Sequence, residues 1–94
     1  MSIYLTAIVK SKKETTAALR TMLLDMVLNS RKEEACIQYD LYESVVDNTF
    51  VFHEEWKDQA GLDLHDQQPY ILAFVAQADT LTDDIVIYKT KKLA

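Results

Sequence analysis

The pattern of hydrophobic positions changes period along the chain, and the first change separates a strand from a helix. Residues 3–9 form a short apolar run rich in β-branched side chains, which predicts a strand. Apolar residues then recur at helical spacing, which predicts an amphipathic helix over residues 12–30. Ser11 and Glu14 have the spacing of a capping box, so we expect them to satisfy free backbone N–H groups at its start.

In the middle of the chain the period changes to two, which is typical of half-buried strands. Residues 36–42 form the first of these segments and residues 50–56 form the second. The second segment carries Phe50, Phe52, Glu54 and Trp56 on one face and Val51, His53 and Glu55 on the other. Residues 46–49 predict a hairpin turn between them, because Asp47 and Asn48 tolerate the left-handed backbone that such turns need.

The remaining segments predict further helices and a last strand. Asp58 is placed to cap a short helix that ends near His65, and Pro69 suits the first turn of the helix that follows. Residues 82–90 form the fourth strand. The charged residues 31–34, between the first helix and the second strand, are expected to be a solvated connection.

The two main helices and four strands occur in the order β-α-β-β-α-β, which is the ferredoxin-like arrangement. This order predicts an α+β fold in which an antiparallel four-stranded sheet carries the helices on one face. The 94 residues include one Gly and one Pro, so no flexible linker divides them and residues 1–94 form a single domain.

Both faces of the predicted sheet carry apolar side chains, although two helices can cover only one face. On the first strand, Ile3, Leu5, Ala7 and Val9 share one face, and Tyr4 and Ile8 share the other. The fourth strand sets Ile85 and Ile87 against Val86 and Tyr88. Monomers seldom expose a contiguous apolar patch of more than a few hundred Å². We therefore expect a homodimer in which two sheets pack face to face.

Composition and charge exclude several kinds of partner. Ten Lys and Arg against fifteen Asp and Glu give a net charge of −5, and no basic cluster is dense enough to bind nucleic acid. No segment has the length of a membrane span, and the apolar N-terminal run lacks the pattern of a signal peptide. We therefore expect a cytoplasmic protein with no membrane partner.

The sequence also lacks the signatures of common cofactors. The single cysteine, Cys36, cannot form an intramolecular disulfide, and no Cys/His cluster has the spacing of a metal site. No Gly-rich phosphate loop or Gly-x-Ser-x-Gly motif occurs. If the protein is an enzyme, we expect it to work without a metal, flavin, nicotinamide or haem.

Two polar residues are candidates for proton transfer. Glu54 lies between Phe52 and Trp56 on one strand face, where burial raises the pKa of a carboxyl group toward a useful value. His65 ends a helix, where it can act as a base or bind an anionic oxygen. Each also has a purely structural interpretation. A flat aromatic pocket between the helices and the sheet can be formed by Tyr39, Trp56, Tyr70 and Phe74, although such a set taken alone more often belongs to the core.

Several of these residues occur in an order that resembles a known family. Glu54, Trp56, Asp58, His65 and Pro69 match, in sequence, the Glu-x-Trp/Tyr-x-Asp, His and Pro-aromatic pattern of the antibiotic biosynthesis monooxygenase (ABM) domain family. The resemblance covers almost the whole chain. It implies a dimeric α+β barrel with a cavity between the helices and the sheet of each subunit. By the same resemblance, His65, Trp56 and Glu54 line or support that cavity, with Tyr39, Tyr70 and Phe74 as its walls.

The resemblance also implies an activity, which is a cofactor-independent monooxygenase acting with O₂ on a small quinol, phenol or anthrone-like ring. In that hypothesis His65 is the base or anion stabiliser, Glu54 is its partner or a second acid or base, and Trp56 is a stacking wall. Haem degradation does not fit, because the first strand and the later helix lack the Asn and His that the haem-degrading branch requires.

Two other functions remain open at this point. One is an isomerase or other processing enzyme for a phosphorylated autoinducer-2-like signal, which would require cations in the pocket. The other is a non-catalytic dimeric module that binds a small molecule, in which Glu54 and His65 have structural roles only.

Overall fold

The ferredoxin-like arrangement predicted from the sequence is confirmed by a computed structural model that describes residues 1–94. Its elements are β1 (Ile3–Ser11), a 3₁₀ turn (Lys13–Thr15), α1 (Thr16–Ser30), β2 (Cys36–Glu43), β3 (Thr49–Trp56), α2 (Gln59–Asp66), α3 (Pro69–Leu81) and β4 (Thr82–Thr90). The strands form one antiparallel sheet in the order β2-β3-β1-β4. No helix is long and apolar enough to cross a membrane.

The hydrophobic core lies between the helices and one face of the sheet. Its centre is the β1–β3 pair, where Ala7 faces Phe52 and Val9 faces Phe50, and all four side chains are buried. Leu19 and Leu23 of α1 pack against this face and are fully buried. The predicted grouping of four β3 residues on one face is confirmed, and this is the face that meets the helices, since Phe50, Phe52, Glu54 and Trp56 are all buried.

The opposite face of the sheet is not covered by any helix. It carries Tyr42 and Tyr88, which are more than half exposed, and His53, which is also exposed. Four further apolar side chains of this open face are half-buried, namely Tyr4, Ile8, Val51 and Val86. The face-to-face homodimer stays a prediction, and this is the surface that it would bury.

The predicted capping box at the start of α1 is wrong. Ser11 ends β1 and is fully buried, and its Oγ lies 2.6 Å from Oγ1 of Thr16 and donates to the carbonyl of Asn48 at 3.2 Å. Neither the 3₁₀ turn nor α1 has a side-chain cap at its N-terminus. The hydroxyl is committed to tertiary contacts of the strand, so it cannot cap the helix.

The turn between β2 and β3 also differs from the prediction. The connection spans residues 44–48, and no residue of the chain has a positive φ. The side chain of Ser44 accepts the backbone N–H groups of Val46 and Asp47, and Asp47 accepts that of Thr49. Five residues reverse the chain gradually through these side-chain hydrogen bonds, so the left-handed backbone of a two-residue turn is not needed.

Candidate active site

An apolar cavity of about 160 Å³ lies between the sheet and the three helices. Fourteen residues line this inner cavity, and eleven of them are hydrophobic. The three others are Glu54, His65 and Asp66, which come from β3 and from the end of α2. No Lys or Arg lines it. The inner cavity is therefore an apolar space into which one imidazole and two carboxyl groups project.

The mouth of the inner cavity lies between α3 and β4. Val75 on α3 and Ile87 on β4 both line the cavity, yet they are 62% and 63% exposed. Ile87 faces Ala7 across the β1–β4 pair, so the helix-side face of the sheet continues past the edge of the helices here. A small molecule can reach the cavity past these two side chains.

The predicted aromatic walls divide into two groups. Tyr39 and Phe74 line the inner cavity and are almost fully buried. Trp56 and Tyr70 do not line it. Trp56 is fully buried behind His65, and Tyr70 stands edge-on to the His65 ring at 6.4 Å between ring centroids. The cavity predicted from the sequence exists, but two of its expected walls support His65 instead.

The ring of His65 packs against two aromatic rings. The ring centroid lies 4.3 Å from that of Trp56, with the planes tilted by 38°, and 5.5 Å from that of Tyr39. Nδ1 is 2.7 Å from Oε2 of Glu33. Nε2 makes no hydrogen bond within the protein. The imidazole therefore lies in the cavity wall with one nitrogen engaged and the other free.

Glu33 is the site residue that the sequence interpretation missed. The prediction that residues 31–34 are a solvated connection is wrong at this position, because the Glu33 side chain is only 13% exposed. Its Oε2 accepts the phenolic O–H of Tyr70 as well as the bond from His65. The only signal was its place in an acidic pair directly before β2, and a connection has no periodicity that says which carboxylate turns inward.

The predicted partnership of Glu54 with His65 is not what the geometry provides. Oε1 of Glu54 accepts the indole N–H of Trp56 at 2.9 Å, while the carboxylate bonded to His65 is Glu33. Burial raises the pKa of Glu54, and the Trp56 hydrogen bond and the nearby His65 oppose that rise. The predicted direction of this pKa change is confirmed. Glu54 is thus a second carboxyl group of the site, which lines the same cavity and is not bonded to His65.

The position of His65 depends on how α2 begins. Oδ1 of Asp58 accepts the backbone N–H of Gly61 at 2.8 Å, which confirms the predicted cap. A Cβ at Gly61 would overlap the side chain of Ala35, so the absence of one lets α2 pack directly on the chain before β2. The N–H of Lys57 also donates to the carbonyl of Ala35 at 2.9 Å. These contacts bring the end of α2 beside Glu33.

The two phenols and the thiol near the site keep their protons near neutral pH. Burial raises the pKa of Tyr39 and of Tyr70 far above the usual range of a phenol. Burial, with a smaller effect from Glu33, raises the pKa of the Cys36 thiol to about 11. Neither phenol nor the thiol can therefore accept a proton, which leaves the imidazole and the carboxyl groups. No three His, Cys, Asp or Glu side chains converge as metal ligands.

The chain is similar to a known family in sequence and to several solved structures in fold. Residues 2–77 match the antibiotic biosynthesis monooxygenase family model. A Bacillus subtilis protein named "Putative monooxygenase YcnE" is 39% identical over 80 residues, which are 84% of this chain and 84% of that protein. The crystal structure of PA3566 from Pseudomonas aeruginosa has 30% identity and a TM-score of 0.94, over 99% of this chain and 95% of that one. The structure of Rv0793 from Mycobacterium tuberculosis has 27% identity and a TM-score of 0.93, over 100% and 97%.

Proposed function

The chain belongs to the antibiotic biosynthesis monooxygenase family and has a monooxygenase-like function, and from that premise we propose that it oxidises a small one-ring phenol or quinol with O₂ and no bound cofactor. The observation that carries the proposal is the imidazole of His65, which lines an apolar cavity and whose Nε2 has no hydrogen-bond partner in the protein. A base in a dry aromatic pocket is what such a substrate needs, because the substrate itself supplies the electrons.

The first step is removal of the phenolic proton by Nε2 of His65. The phenolate then transfers one electron to O₂, and the resulting superoxide and phenoxyl radical join at a ring carbon. The proton returns from His65 to the distal oxygen, giving a hydroperoxide. Loss of water breaks the O–O bond and the ring C–H bond and forms a C=O bond. One oxygen atom ends in the quinone and the other in water, and all four electrons come from the substrate.

Glu54 is the group proposed to assist the last step. Because burial raises its pKa, Glu54 holds a proton more readily than an exposed carboxyl group does. It can therefore donate that proton to the departing oxygen and take one from the ring carbon. Trp56 fixes Glu54 through its indole N–H and supports His65 by packing. Tyr39 and Phe74 are the aromatic surfaces that the substrate ring contacts.

The size of the inner cavity favours a single ring over a three-ring anthrone. A closed apolar cavity of about 150 Å³ in another protein binds benzene. The inner cavity here has about 160 Å³, which leaves room for one substituted ring and little more.

A phosphorylated sugar-like substrate is disfavoured by the charges of the cavity. Recognition of a phosphate group requires Lys, Arg or several backbone N–H groups. The only ionisable side chains that line the inner cavity, apart from the phenol of Tyr39, are His65, Glu54 and Asp66. A phosphate dianion in this cavity would lose its hydration with no cation to replace it, so we do not propose the autoinducer-2-like reaction.

We also propose that the protein is a homodimer through the open face of the sheet. This face combines the exposed Tyr42 and Tyr88 with half-buried Ile8, Val51 and Val86, which makes a contiguous apolar surface on four neighbouring strands. The inner cavity lies on the other side of the sheet, so pairing of two copies leaves one cavity free in each.

Oxygen consumption with a panel of one-ring quinols, phenols and three-ring anthrones tests the proposed reaction. We expect turnover with one-ring substrates and a loss of at least a hundredfold in His65→Gln. His53→Gln is the matched control, since His53 is the other histidine and lies on the opposite face of the sheet. Equal turnover in His65→Gln and in wild type would remove His65 from the mechanism, and absence of turnover with every ring would contradict the proposal.

A further inference from the structure

Glu33 stands between two separate spaces in the protein. On one side is the inner cavity, whose wall contains His65. On the other is an outer cleft of about 330 Å³ whose lining includes Glu33, Lys57, Asp58, Leu64 and Gln68. The hydrogen bond between Glu33 and His65, at 2.7 Å, joins a residue that lines the outer cleft to a residue that lines the inner cavity. One end of this pair thus faces the proposed substrate, and the other end is reached from solvent.

We propose that Glu33 is a positioning residue that keeps the proton of neutral His65 on Nδ1 and so leaves Nε2 free to act as the base. The inference rests on the proposed function, since it explains how His65 is prepared for proton removal. An ionised carboxylate only accepts hydrogen bonds, so the nitrogen that faces it must carry the proton. The other nitrogen of a neutral imidazole then has a free lone pair, and here that nitrogen has no partner in the protein.

Packing alone cannot determine which nitrogen of His65 carries the proton. Trp56 and Tyr39 restrain the plane of the His65 ring, but contacts with ring faces and edges do not distinguish the two positions of the proton. The distinction is made by the hydrogen-bond partner of one nitrogen. Of the three carboxyl groups near His65, Glu54 is bonded to Trp56 and Asp66 makes no hydrogen bond, so only Glu33 can fill that role.

Tyr70 holds the Glu33 carboxylate in place. Its O–H donates to Oε2, the oxygen that also faces His65. Burial, followed by the Glu33 carboxylate itself, raises the pKa of Tyr70, so the phenol keeps its proton and remains a donor. Tyr70 was expected to form a wall of the substrate pocket, and in this proposal it fixes the carboxylate that orients the base.

The first test compares Glu33→Gln with Glu34→Gln, which changes the neighbouring exposed carboxylate in the same way. A glutamine amide can present its N–H as well as its carbonyl oxygen to Nδ1, so it no longer requires the proton on that nitrogen. We expect kcat to fall by about 10²–10⁴-fold in Glu33→Gln, as when a catalytic histidine is held in the wrong tautomer. KM should change by less than about threefold, because Glu33 does not line the inner cavity. Glu34→Gln should behave as wild type.

Nitrogen-15 NMR of the imidazole tests the tautomer without any assay of activity. The chain has two histidines, so the His53 signals serve as an internal reference in each sample. We expect the pattern of a proton on Nδ1 for neutral His65 in wild type and in Glu33→Asp, and a shift toward Nε2–H in Glu33→Ala, which removes the acceptor that faces Nδ1. A proton on Nε2 in wild type, or an unchanged tautomer in a folded Glu33→Ala, would overturn the inference. Failure of the proposed reaction would leave this measurement unaffected, so the two failures are distinguishable.

Chemical rescue gives a readout that a merely structural role would not produce. In Glu33→Ala the space of the missing side chain joins the outer cleft, so acetate or formate can enter from solvent and face Nδ1. We expect either anion to raise kcat at least tenfold with saturation, and to leave His65→Gln unchanged. A folded Glu33→Ala whose reduced kcat does not respond to either anion would contradict the role assigned to the carboxylate.

Discussion

The indole N–H of Trp56 donates a hydrogen bond of 2.9 Å to Oε1 of Glu54, two residues earlier on the same face of β3. Both side chains are buried, and this bond gives the carboxyl group a polar partner in an otherwise apolar core. A buried polar group without a partner costs about 1–3 kcal/mol. The pair explains how the inner face of a strand can carry a carboxyl group next to the core and keep it beside the cavity.

The raised pKa of Glu54 predicts how stability depends on pH. Because its pKa is higher in the folded than in the unfolded chain, the folded protein binds the proton more tightly. The stability that Glu54 contributes is present below the unfolded pKa and is lost as the pH rises through the folded pKa. We therefore expect Glu54→Gln to gain stability relative to wild type as the pH rises above the ordinary carboxyl range.

Urea unfolding between pH 4 and pH 8 measures this difference in the free energy of unfolding. Glu55→Gln, at the neighbouring position on the opposite face of β3, is the matched control. A difference between Glu54→Gln and wild type that stays constant across this range would contradict the raised pKa.

The close approach of α2 to the chain before β2 gives a second prediction. In Gly61→Ala the new methyl group would overlap the side chain of Ala35, and such overpacking costs about 1–3 kcal/mol. We expect lower stability and lower turnover, because α2 must move and carries His65 away from Glu33. The double variant Ala35→Gly/Gly61→Ala exchanges the two residues and should recover most of both. Equal stability of Gly61→Ala and wild type in urea unfolding would show that the contact is not tight.

The sequence predicted the site residues that lie on regular strands and helices better than those in the connections. Alternation places Glu54 and Trp56 on the same face of β3. The cap at Asp58 and the helix start at Pro69 follow from local side-chain chemistry. Glu33 was not predictable in this way. Its environment is created by Tyr70 and His65, which are 37 and 32 residues away in the chain.

The errors at the ends of elements have the same origin. Ser11 has the sequence spacing of a cap, but its hydroxyl is used by Thr16 and by the carbonyl of Asn48, 37 residues away. The residue pair at 47–48 suits a tight turn, yet Ser44 and Asp47 build a longer one from side-chain hydrogen bonds. In both places the hydrogen bonds that form are not those that the local spacing suggests, and at Ser11 the tertiary contact decided the structure.

The mouth of the inner cavity gives a prediction about access. Val75 lines the mouth and is largely exposed, so Val75→Phe should change stability by less than about 0.5 kcal/mol. The larger side chain narrows the entrance, and we expect kcat/KM to fall at least fivefold, most for the bulkiest substrates. Leu72→Phe is the control, because Leu72 is exposed on the same helix and does not line the cavity. Similar kinetics in both variants would place the entrance elsewhere.

The proposed dimer is tested by charge on the open face of the sheet. Sedimentation equilibrium at micromolar concentration should give twice the mass of the 10.8 kDa chain. Val86→Glu places a carboxylate in the proposed interface and should shift the protein toward monomers. Leu28→Glu on the exposed surface of α1 should leave the dimer intact. A monomeric wild-type protein under these conditions would contradict the interface.

Labelling with ¹⁸O₂ tests whether the protein inserts an oxygen atom of O₂ into its substrate, because the label follows both oxygen atoms through the reaction. The experiment uses purified protein, a one-ring quinol or phenol that it accepts, and no added cofactor. We expect one ¹⁸O atom in the quinone product and one in water for each O₂ consumed. Incorporation should depend on His65. Stoichiometric hydrogen peroxide with an unlabelled product would show that the protein transfers electrons to oxygen without inserting an atom, and that result would contradict the account.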